Sequence, residues 1–373
     1  MKTSMLRTVG LGILLGLLCS SAEATVQYNI IDLGTLGGTY SEPYSINNSG
    51  QIVGIAKDSS GNFYATLFDA SGMGNNMNLR GVYGYCINGN NQIVGTDLDK
   101  SGYSHATLFD ATGNGNNKNL GTLGGDQSWA YSINNSGQIV GWADNKVQNA
   151  QYQYAALFDA TGSGNNKSLG ALGGTWSEAF SINNNSQIVG EATDSAGNGY
   201  ATLFDSTGNG NNKNLGRGWA SFISDRGQIV GYTYDGSNNY HATLFDATGN
   251  QHNINLGTLG GTYSTAASVN NKGQIVGEAT DSAGHYHATL FDSSGNGDNL
   301  DLNSVIDPLL GWRLEGAADI NDNGWIVGDG FNPQGQDHAF LLVPVPEPLT
   351  MVAIGMGIAG LGGYIRRRRA AAK

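Results

Sequence analysis

The sequence predicts an all-β fold, most specifically a seven-bladed β-propeller, and three observations predict it. A short motif, Gln-Ile-Val-Gly, recurs six times and a seventh copy reads Trp-Ile-Val-Gly, with spacings of 41, 46, 49, 41, 46 and 51 residues. The first six repeats each hold four short apolar segments. The last repeat has only three, and the start of the repeat region supplies the fourth. Such a period with four strands per repeat is typical of propeller blades. The copies are Gln51–Gly54, Gln92–Gly95, Gln138–Gly141, Gln187–Gly190, Gln228–Gly231, Gln274–Gly277 and Trp325–Gly328.

The third repeat illustrates the order of the segments. The turn Asn135-Ser136-Gly137 separates the first two strands, because Asn and Gly tolerate positive φ. The second strand contains the adjacent pair Ile-Val and the third contains Leu-Phe. Because two adjacent apolar residues point to opposite faces, both faces of these strands must be covered, as in a blade between two others. We predict strands over Ala130–Asn134, Gln138–Ala143, Tyr154–Phe158 and Ser168–Leu172.

The two ends of the repeat region are complementary. The seventh repeat stops at Pro344, after its third strand, Ala339–Val343. The segment Tyr28–Gly34 has the pattern of a fourth strand with no repeat before it. Pairing the two would remove both exposed edges, so residues 27–36 are predicted to complete the last blade. The alternative is an open β-solenoid in which Tyr28–Gly34 caps one end.

Residues 1–24 have the pattern of a secretory signal peptide. Lys2 and Arg7 precede an apolar run from Val9 to Leu18, and the small residues Ala22 and Ala24 fit the site that signal peptidase cleaves. Removal of this segment leaves Cys86 as the one cysteine, which excludes a disulfide framework. The repeat domain is then residues 25–344.

Residues 345–373 combine a short motif, an apolar run from Leu349 to Ile365 and a basic end. The run is near the short limit for a bilayer span, and the arginines would stay cytoplasmic. The segment resembles the PEP-CTERM sorting tail of proteins exported by Gram-negative, exopolysaccharide-producing bacteria. The resemblance implies recognition by an exosortase at the inner membrane and a cleaved product that is secreted or held at the cell surface, with membrane contact only before processing. The matching residues are Pro346, Glu347, Pro348, Arg366, Arg367, Arg368 and Arg369.

The repeats themselves resemble the HAF family of extracellular repeats over residues 28–343. Three patterns carry the resemblance: Leu-Gly-x-Leu-Gly-Gly, as at Leu33–Gly38, Ile-Asn-x-x-Gly-Gln-Ile-Val-Gly, and His-Ala-Phe at His338–Phe340. Most repeats depart from the last pattern and read His-Ala-Thr or Tyr-Ala. The resemblance implies an extracellular location but no established reaction.

The charge of the chain argues against a nucleic-acid partner. The formal net charge is −12, and residues 25–348 hold 29 acidic against 11 basic residues. A repeat domain with this excess of negative charge would be repelled by the phosphate backbone of a nucleic acid.

Catalytic signatures are missing from the sequence: it contains no G-x-S-x-G, H-E-x-x-H or P-loop pattern. Four histidines share one repeat position at the start of the third strand, where three other repeats carry tyrosine. They could form a ring of ligands or bases, but an amphipathic residue that caps each blade explains the tyrosines as well. These histidines are His105, His241, His287 and His338.

No metal or other cofactor is expected, with a Ca²⁺ role for the turns kept open. Oxygen-rich turns such as the one that begins at Asp110 recur in the repeats, and hard cations bind such loops. However, each turn holds mostly one carboxylate, and hairpin turns select the same residues.

Aromatic residues in the segments that join the repeats are the candidate ligand-binding residues. On one exposed face they would form a platform on which pyranose rings stack, whereas the alternative is that they fill the wedges between blades. Their distances to the following motif are 9, 11 or 13 residues, so they do not share one repeat position. The residues are Tyr40, Tyr83, Trp129, Trp176, Trp219, Tyr263 and Trp312.

These observations favour a non-catalytic, exported surface or matrix protein that binds exopolysaccharide or another extracellular partner. One alternative is a polysaccharide lyase or hydrolase, and another is a structural coat protein. An enzyme would need a unique carboxylate pair, and the place to look for it is the set of charged residues that break the repeat. These residues are Arg217, Asp225, Arg226, Arg313 and Glu315.

Overall fold

A computed structural model of the protein describes residues 26–147, 150–237 and 239–346. They form 28 strands and two short 3-10 helices, Leu302–Val305 and Pro308–Leu310, which confirms the all-β class. The signal peptide predicted over residues 1–24, and the sorting tail from residue 347 onward, lie outside the described residues. Within the described ranges, no helix is long and apolar enough to cross a membrane.

The strands form seven antiparallel four-stranded units, which we number along the chain. Strand β1 spans Tyr28–Asp32. Unit 1 contains β2 (Gly37–Ile46), β3 (Ile52–Asp58), β4 (Phe63–Phe68) and β5 (Met77–Asn78). Unit 2 contains β6 (Tyr83–Ile87), β7 (Ile93–Leu98), β8 (Ser104–Phe109) and β9 (Lys118–Asn119). Unit 3 contains β10 (Ser128–Ile133), β11 (Ile139–Val147), β12 (Ala150–Phe158) and β13 (Lys167–Gly170).

The remaining units follow the same order. Unit 4 contains β14 (Gly173–Ile182), β15 (Ile188–Asp194), β16 (Gly199–Phe204) and β17 (Lys213–Arg217). Unit 5 contains β18 (Trp219–Ile223), β19 (Ile229–Tyr234), β20 (Tyr240–Phe245) and β21 (Ile254–Asn255). Unit 6 contains β22 (Gly260–Val269), β23 (Ile275–Asp281), β24 (Tyr286–Phe291) and β25 (Leu300–Asp301). Unit 7 contains β26 (Arg313–Ile320), β27 (Ile326–Phe331), β28 (Asp337–Pro344) and β1.

The N-terminal strand pairs with the last strand of the chain, as the sequence predicted. β1 lies antiparallel to β28, with Tyr28 opposite Pro344 and Asp32 opposite Phe340. Single parallel bridges also join unit 7 to unit 1, through Tyr40 and Asp337, and unit 3 to unit 4. Units 7 and 1, and units 3 and 4, therefore form two eight-stranded sheets, and units 2, 5 and 6 are separate sheets.

Fourth strands are shorter than the sequence predicted, with two residues in units 1, 2, 5 and 6. An asparagine side chain of the next unit binds carbonyl groups at or just after the end of several fourth strands. Asn76 of unit 1 donates to the carbonyls of Leu33 and Thr35, at 2.7 and 3.1 Å, in the segment that follows β1. Asn166, Asn212 and Asn299 make the equivalent pair of bonds.

The Ile-Val pair of each repeat is buried on both faces, which confirms the expectation from its pattern. Each valine packs in one hydrophobic cluster with the isoleucine of the next repeat, and Val327 of unit 7 packs with Ile52 of unit 1. Seven such clusters separate consecutive units. The other pairs are Val53–Ile93, Val94–Ile139, Val140–Ile188, Val189–Ile229, Val230–Ile275 and Val276–Ile326.

The asparagine and glutamine of the repeated motif connect consecutive units. The Asn47 side-chain oxygen accepts from the backbone N–H groups of Ser49 and Gln51, both at 3.0 Å. Its amide nitrogen donates to the Gln51 side chain at 2.8 Å and to the Asn88 carbonyl of unit 2 at 3.1 Å. Five further asparagines link their units in the same way: Asn88, Asn134, Asn183, Asn270 and Asn321.

The last of these links, from Asn321 to the carbonyl of Asn47, joins residues that lie 274 positions apart in the chain. Ser224 occupies the same position in unit 5 and makes no such link among the described residues. The motif that organises the sequence therefore has a structural role, because it satisfies buried backbone groups at the junctions between units.

Candidate functional site

The first strands of all seven units line two cavities that share a wall. One, of about 180 Å³, lies beside the Asn-x-x-Gly turns, and we call it the asparagine cavity. The other, of about 280 Å³, lies toward the start of the first strands, and we call it the aromatic cavity. The shared wall consists of Ser45, Cys86, Ser132, Ser181, Phe222 and Asp319.

A β-bulge in every first strand supplies the wall of the aromatic cavity. In unit 3 the pairing of β10 with β11 skips Tyr131, and in unit 4 the pairing of β14 with β15 skips Phe180. A bulged residue has no partner in the neighbouring strand, and the bulge changes the direction of its side chain. Here that side chain lines the cavity. The bulged residues are Tyr44, Tyr85, Tyr131, Phe180, Ser221, Ala267 and Ala318.

The motif glycine makes room for this bulge. A Cβ on Gly141 would collide with the carbonyl oxygen of Trp129, and one on Gly190 would collide with that of Glu178. The same obstruction recurs at the glycine of every motif copy. Glycine is therefore required where the second strand passes the bulge.

The wall of the aromatic cavity is asymmetric. Units 1 to 4 place Tyr or Phe at the bulge, whereas units 5 to 7 place Ser or Ala there. In unit 5 the order of two residues is reversed, so that Phe222 occupies the shared-wall position where its neighbours carry serine. The bulged side chains are consequently large in units 1 to 4 and small in units 5 to 7, where Trp219 and Phe222 of unit 5 also line the cavity.

Thirteen aromatic rings form a continuous band through units 1 to 6, with neighbouring centroids 4.8–6.0 Å apart. In its middle, Phe180 lies 4.8 Å from Trp219, which lies 5.7 Å from Tyr232. Such offset and tilted contacts are favourable between rings, and the exposed parts offer flat apolar surface. The band comprises Tyr44, Tyr83, Tyr85, Trp129, Tyr131, Trp142, Phe180, Trp219, Tyr232, Tyr234, Tyr240, Tyr263 and Tyr286.

Four of the seven aromatic residues chosen from the sequence belong to this band: Tyr83, Trp129, Trp219 and Tyr263. The other three do not. Tyr40 packs on Phe63, and Trp312 packs edge-on against Phe340 in the cluster between units 6 and 7. Trp176 lies at the bridge between units 3 and 4.

The aromatic residues that line the cavity at the bulges were not selected from the sequence. They are Tyr44, Tyr85, Tyr131 and Phe180. A signal for them existed, because all four lie two residues before the isoleucine of the Ile-Asn motif.

Three glutamates hold the phenol groups around the aromatic cavity. Glu42 accepts from Tyr40 at 2.8 Å and from Tyr44 at 3.2 Å. Glu178 accepts from Tyr131 at 3.3 Å and from the amide of Gln153. Glu278 accepts from Tyr263 at 2.9 Å, and burial raises its pKa. Glu42 and Glu178 therefore bind tyrosines that line the cavity, without lining it themselves.

Two glutamates face each other across β14 and β15. Glu178 and Glu191 are direct partners in this antiparallel pairing, which brings two like charges together. Burial raises the pKa of Glu178 to about 7, although hydrogen bonds from Gln153 and Tyr131 oppose the shift. Burial, followed by the charge of Glu178, also raises the pKa of Glu191 to about 7. The pair therefore titrates near neutral pH.

A second acidic group lies where units 6, 7 and 1 meet. Burial raises the pKa of Asp329 to about 7, and the charges of Glu42, Asp337, Glu278 and Glu315 add to the shift. Burial and the charge of Glu42 raise the pKa of Asp337 as well. No three or more His, Cys, Asp or Glu side chains within the described ranges are arranged to hold a metal ion.

The charged residues that break the repeat do not converge on one place. Asp225 lies in the Ser224–Gly227 turn of unit 5, where it accepts from the backbone and side chain of Asn184 at 2.8 Å each. Arg226 follows it in the same turn. Arg313 pairs with Glu315 at 2.9 Å in unit 7, and Arg217 ends β17 in unit 4.

The histidines at the third-strand position each contact an aspartate. His105 and His241 lie 3.2 Å from Asp99 and Asp235, which belong to the preceding loop of the same unit. His287 contacts Asp281 at 3.5 Å and Asp301 at 3.0 Å, and buried His338 lies 2.9 Å from Asp32 of β1. These contacts tie loops and strands together, in agreement with a structural role.

The aspartates of the long turns are surrounded by hydrogen-bond donors. Asp110 accepts from the backbone and hydroxyl groups of Thr112 at 3.0 and 2.6 Å, and from the amide of Asn116 at 3.1 Å. The hydroxyl and backbone bonds from Thr112 are the main causes that hold the Asp110 pKa below its usual value. Calcium needs several oxygen ligands rather than N–H donors, so this geometry does not favour the Ca²⁺ role.

Comparisons of the chain with known protein families, with curated proteins and with solved structures found no match.

Proposed function

We propose that the protein is an exported, non-catalytic surface or matrix protein that binds extracellular polysaccharide at the aromatic cavity. The observation that carries this proposal is the continuous band of aromatic rings, several of which line the aromatic cavity. Pyranose rings present flat C–H faces that pack on indole and phenol rings, and the glutamates around the cavity can accept hydrogen bonds from sugar hydroxyls.

The fold proposed for this function is a closed seven-bladed propeller with the seven units as blades. Three contacts between the two ends of the chain support closure. β1 completes unit 7, Val327 packs with Ile52, and Asn321 donates to the carbonyl of Asn47. The first is the counterpart of a pairing inside every other unit, and the other two are counterparts of contacts between consecutive units.

Export remains a proposal that rests on the sequence. The pattern of residues 1–24 supports processing by signal peptidase, and the resemblance of residues 345–373 to a PEP-CTERM tail supports processing by an exosortase. The polysaccharide of the producing cell is then the nearest polymer available to the aromatic cavity.

One observation favours the enzyme alternative. A general acid at neutral pH needs a carboxyl group with a raised pKa, and Glu178 and Glu191 both have one. Release of new reducing ends, or of unsaturated sugars, from the polymer would support catalysis. Loss of that release in Glu178→Gln would assign it to this pair.

The experiment that tests binding is co-sedimentation of residues 25–344 with the extracellular polysaccharide of the host. Trp219→Ala removes a ring from the centre of the band. Trp312→Ala, which removes a ring packed on Phe340 away from the band, is the matched control. We expect binding by the native protein and by the control, and loss in Trp219→Ala with an unchanged far-UV spectrum.

Equal binding by all three proteins would show that Trp219 is not a main contact and that the polysaccharide binds away from the centre of the band. The absence of binding by any of them would overturn the glycan proposal for that polymer and favour the coat-protein alternative.

A further inference from the structure

The aromatic cavity combines a series of rings with one buried carboxylate. It measures about 280 Å³, which suits a small ligand or a single substituent of a larger one. Most of the residues that line it are half-buried, including Trp219 and all seven bulged residues, so the cavity is accessible from solvent.

Five aromatic side chains, one from each of units 1 to 5, form consecutive parts of the cavity wall. The centroids of neighbouring rings lie 5.3, 5.3, 5.5 and 4.8 Å apart along this series. Neighbouring rings are inclined to each other by 33–68°, so the series follows a curved wall and is not a flat stack. Rings that surround a space in this way attract a cation, because their faces carry partial negative charge. The five residues are Tyr44, Tyr85, Tyr131, Phe180 and Trp219.

Two of these rings are bound to carboxylates outside the cavity. The hydroxyl of Tyr44 donates to Glu42 at 3.2 Å, and that of Tyr131 donates to Glu178 at 3.3 Å. A phenol that donates to a carboxylate gains electron density on its oxygen and ring, which strengthens its attraction for a cation. Neither glutamate lines the cavity, so this effect on a ligand inside it passes through the two rings.

Asp319 of unit 7 supplies a carboxylate in the cavity wall itself. The residue is 6 % exposed, and its Oδ1 accepts from the hydroxyl of Ser268 at 2.6 Å. Its Oδ2 accepts from the backbone N–H of Ile46 at 2.9 Å. Burial raises the pKa of this carboxyl, and these hydrogen bonds oppose the shift by favouring the ionised form. Among the described residues that line the cavity, no Lys, Arg or His balances the charge of Asp319.

A ligand that fits this wall carries a positive charge and few hydrogen-bond donors. The wall consists mainly of rings and small side chains, and both oxygens of Asp319 already accept hydrogen bonds. A primary ammonium group would lose its hydration here and find too few acceptors. A trimethylammonium group has no N–H to satisfy, and its methyl groups spread the positive charge over a surface that packs on aromatic rings.

We infer that the aromatic cavity binds a trimethylammonium group through its five rings and Asp319. This inference goes beyond the proposed function, because it requires no polysaccharide. The same group occurs in free solutes and at the end of phosphate-linked headgroups and substituents.

The test is calorimetric titration of residues 25–344 with three probes. Choline carries the trimethylammonium group, its uncharged analogue has carbon in place of the nitrogen, and ethanolamine keeps the charge on a primary ammonium group. We expect choline to bind at least about tenfold more tightly than either of the others. Absence of choline binding would overturn the inference, and so would an affinity for choline no greater than that for either other probe. This comparison uses the native protein, so it does not depend on the folding of a variant.

Phe180→Leu removes one ring of the wall and keeps an apolar side chain. Its affinity for choline should fall about threefold to tenfold, whereas its affinity for the uncharged analogue should change less than about twofold. Phe63→Leu is the matched control, because Phe63 is 40 % exposed, packs on Tyr40 and does not line the cavity. The control should bind choline like the native protein, and an equal loss of choline affinity in both variants would overturn the inference.

Phosphocholine distinguishes the two sources of the group once choline binding is established. An affinity comparable to that of choline would support a phosphate-linked headgroup or substituent as the ligand, and binding at least about tenfold weaker would support a free solute. None of these titrations contains polysaccharide. Their failure would therefore leave the proposed glycan binding to be decided by co-sedimentation, and a negative co-sedimentation result would leave this inference standing.

Discussion

The asparagine cavity and the aromatic cavity are lined by the same seven first strands, yet their side chains behave differently. At the asparagine cavity the repeat is nearly regular, and each asparagine satisfies backbone groups of its own unit and of the next. At the aromatic cavity the repeat position varies between Tyr, Phe, Ser and Ala. Regular, mutually satisfied groups stabilise the junctions between units, whereas variable side chains give one part of the ring a surface that the other parts lack.

Breaking an asparagine link should have the largest effect, and that effect should be on stability. Asn321→Ala removes the acceptor for the N–H groups of Asn323 and Trp325 and the donor to the buried carbonyl of Asn47. We expect a loss of about 2–3 kcal/mol in the free energy of unfolding, measured by urea denaturation.

Asn323→Ala is the matched control for this prediction. It removes one exposed bond, to the carbonyl of Asn48, and should lose less than about 1 kcal/mol. Similar losses of unfolding free energy in both variants would show that the buried Asn321 link contributes no more to stability than an exposed hydrogen bond.

Acidification should stabilise the protein through three largely buried carboxyls. Glu178, Glu191 and Asp329 have raised pKa values of about 7, so between about pH 4 and 7 the folded chain binds more protons than the unfolded chain. Stability should decrease as the pH rises through this range. From pH 7.5 to pH 5 we expect the Tm to rise by roughly 3 °C, measured by differential scanning calorimetry.

A Glu178→Gln/Glu191→Gln double variant should show a smaller rise, because it removes two of these three carboxyls. Below about pH 4 the trend should reverse. In that range Asp281 becomes protonated. Its pKa in the folded protein is lowered to about 2, first by the hydrogen bond from the backbone N–H of His285. A native Tm that does not change between pH 5 and 7.5 would contradict the raised pKa values.

Restoring the missing link should give a smaller gain. Ser224 occupies the asparagine position in unit 5, where its hydroxyl accepts from the backbone of Gln228 at 3.2 Å. Ser224→Asn can keep that bond and add a donor to the carbonyl of Asn270. We expect about 1 kcal/mol of added stability, and any destabilisation would argue that unit 5 differs at this junction.

The shared wall between the two cavities should be the most tolerant region. Cys86 occupies the position of Ser45, Ser132 and Ser181, and burial raises the pKa of its thiol. Cys86→Ser should change the free energy of unfolding by less than about 0.5 kcal/mol. In the native protein the half-buried thiol should react slowly with a thiol reagent at pH 8, and rapid labelling would contradict its raised pKa.

Much of the fold could be predicted from the sequence, because the signals are local and repeated. The Ile-Val pair predicted strands that are buried on both faces, and the incomplete seventh repeat predicted that Tyr28–Asp32 pairs with β28. The lengths of the fourth strands could not be predicted. The bonds from Asn76 and its equivalents to carbonyls at the ends of such strands could not be predicted either, because they join different units.

The candidate site was predicted only in part, for a physical reason. Alternation along a strand assigns side chains to faces, but a bulge adds one residue and changes the face for those beyond it. Tyr131 and Phe180 are such bulged residues, so their place in the cavity wall does not follow from alternation.

By itself, the sequence determined the repeat, the four-stranded unit, the acidic charge and the aromatic residues that are available. The tertiary structure decided which of these aromatic rings meet, and it brought Glu178 opposite Glu191. Local pattern fixes strands because burial and turn chemistry act over a few residues. The site arises from contacts between units about 45 residues apart, which only packing brings together.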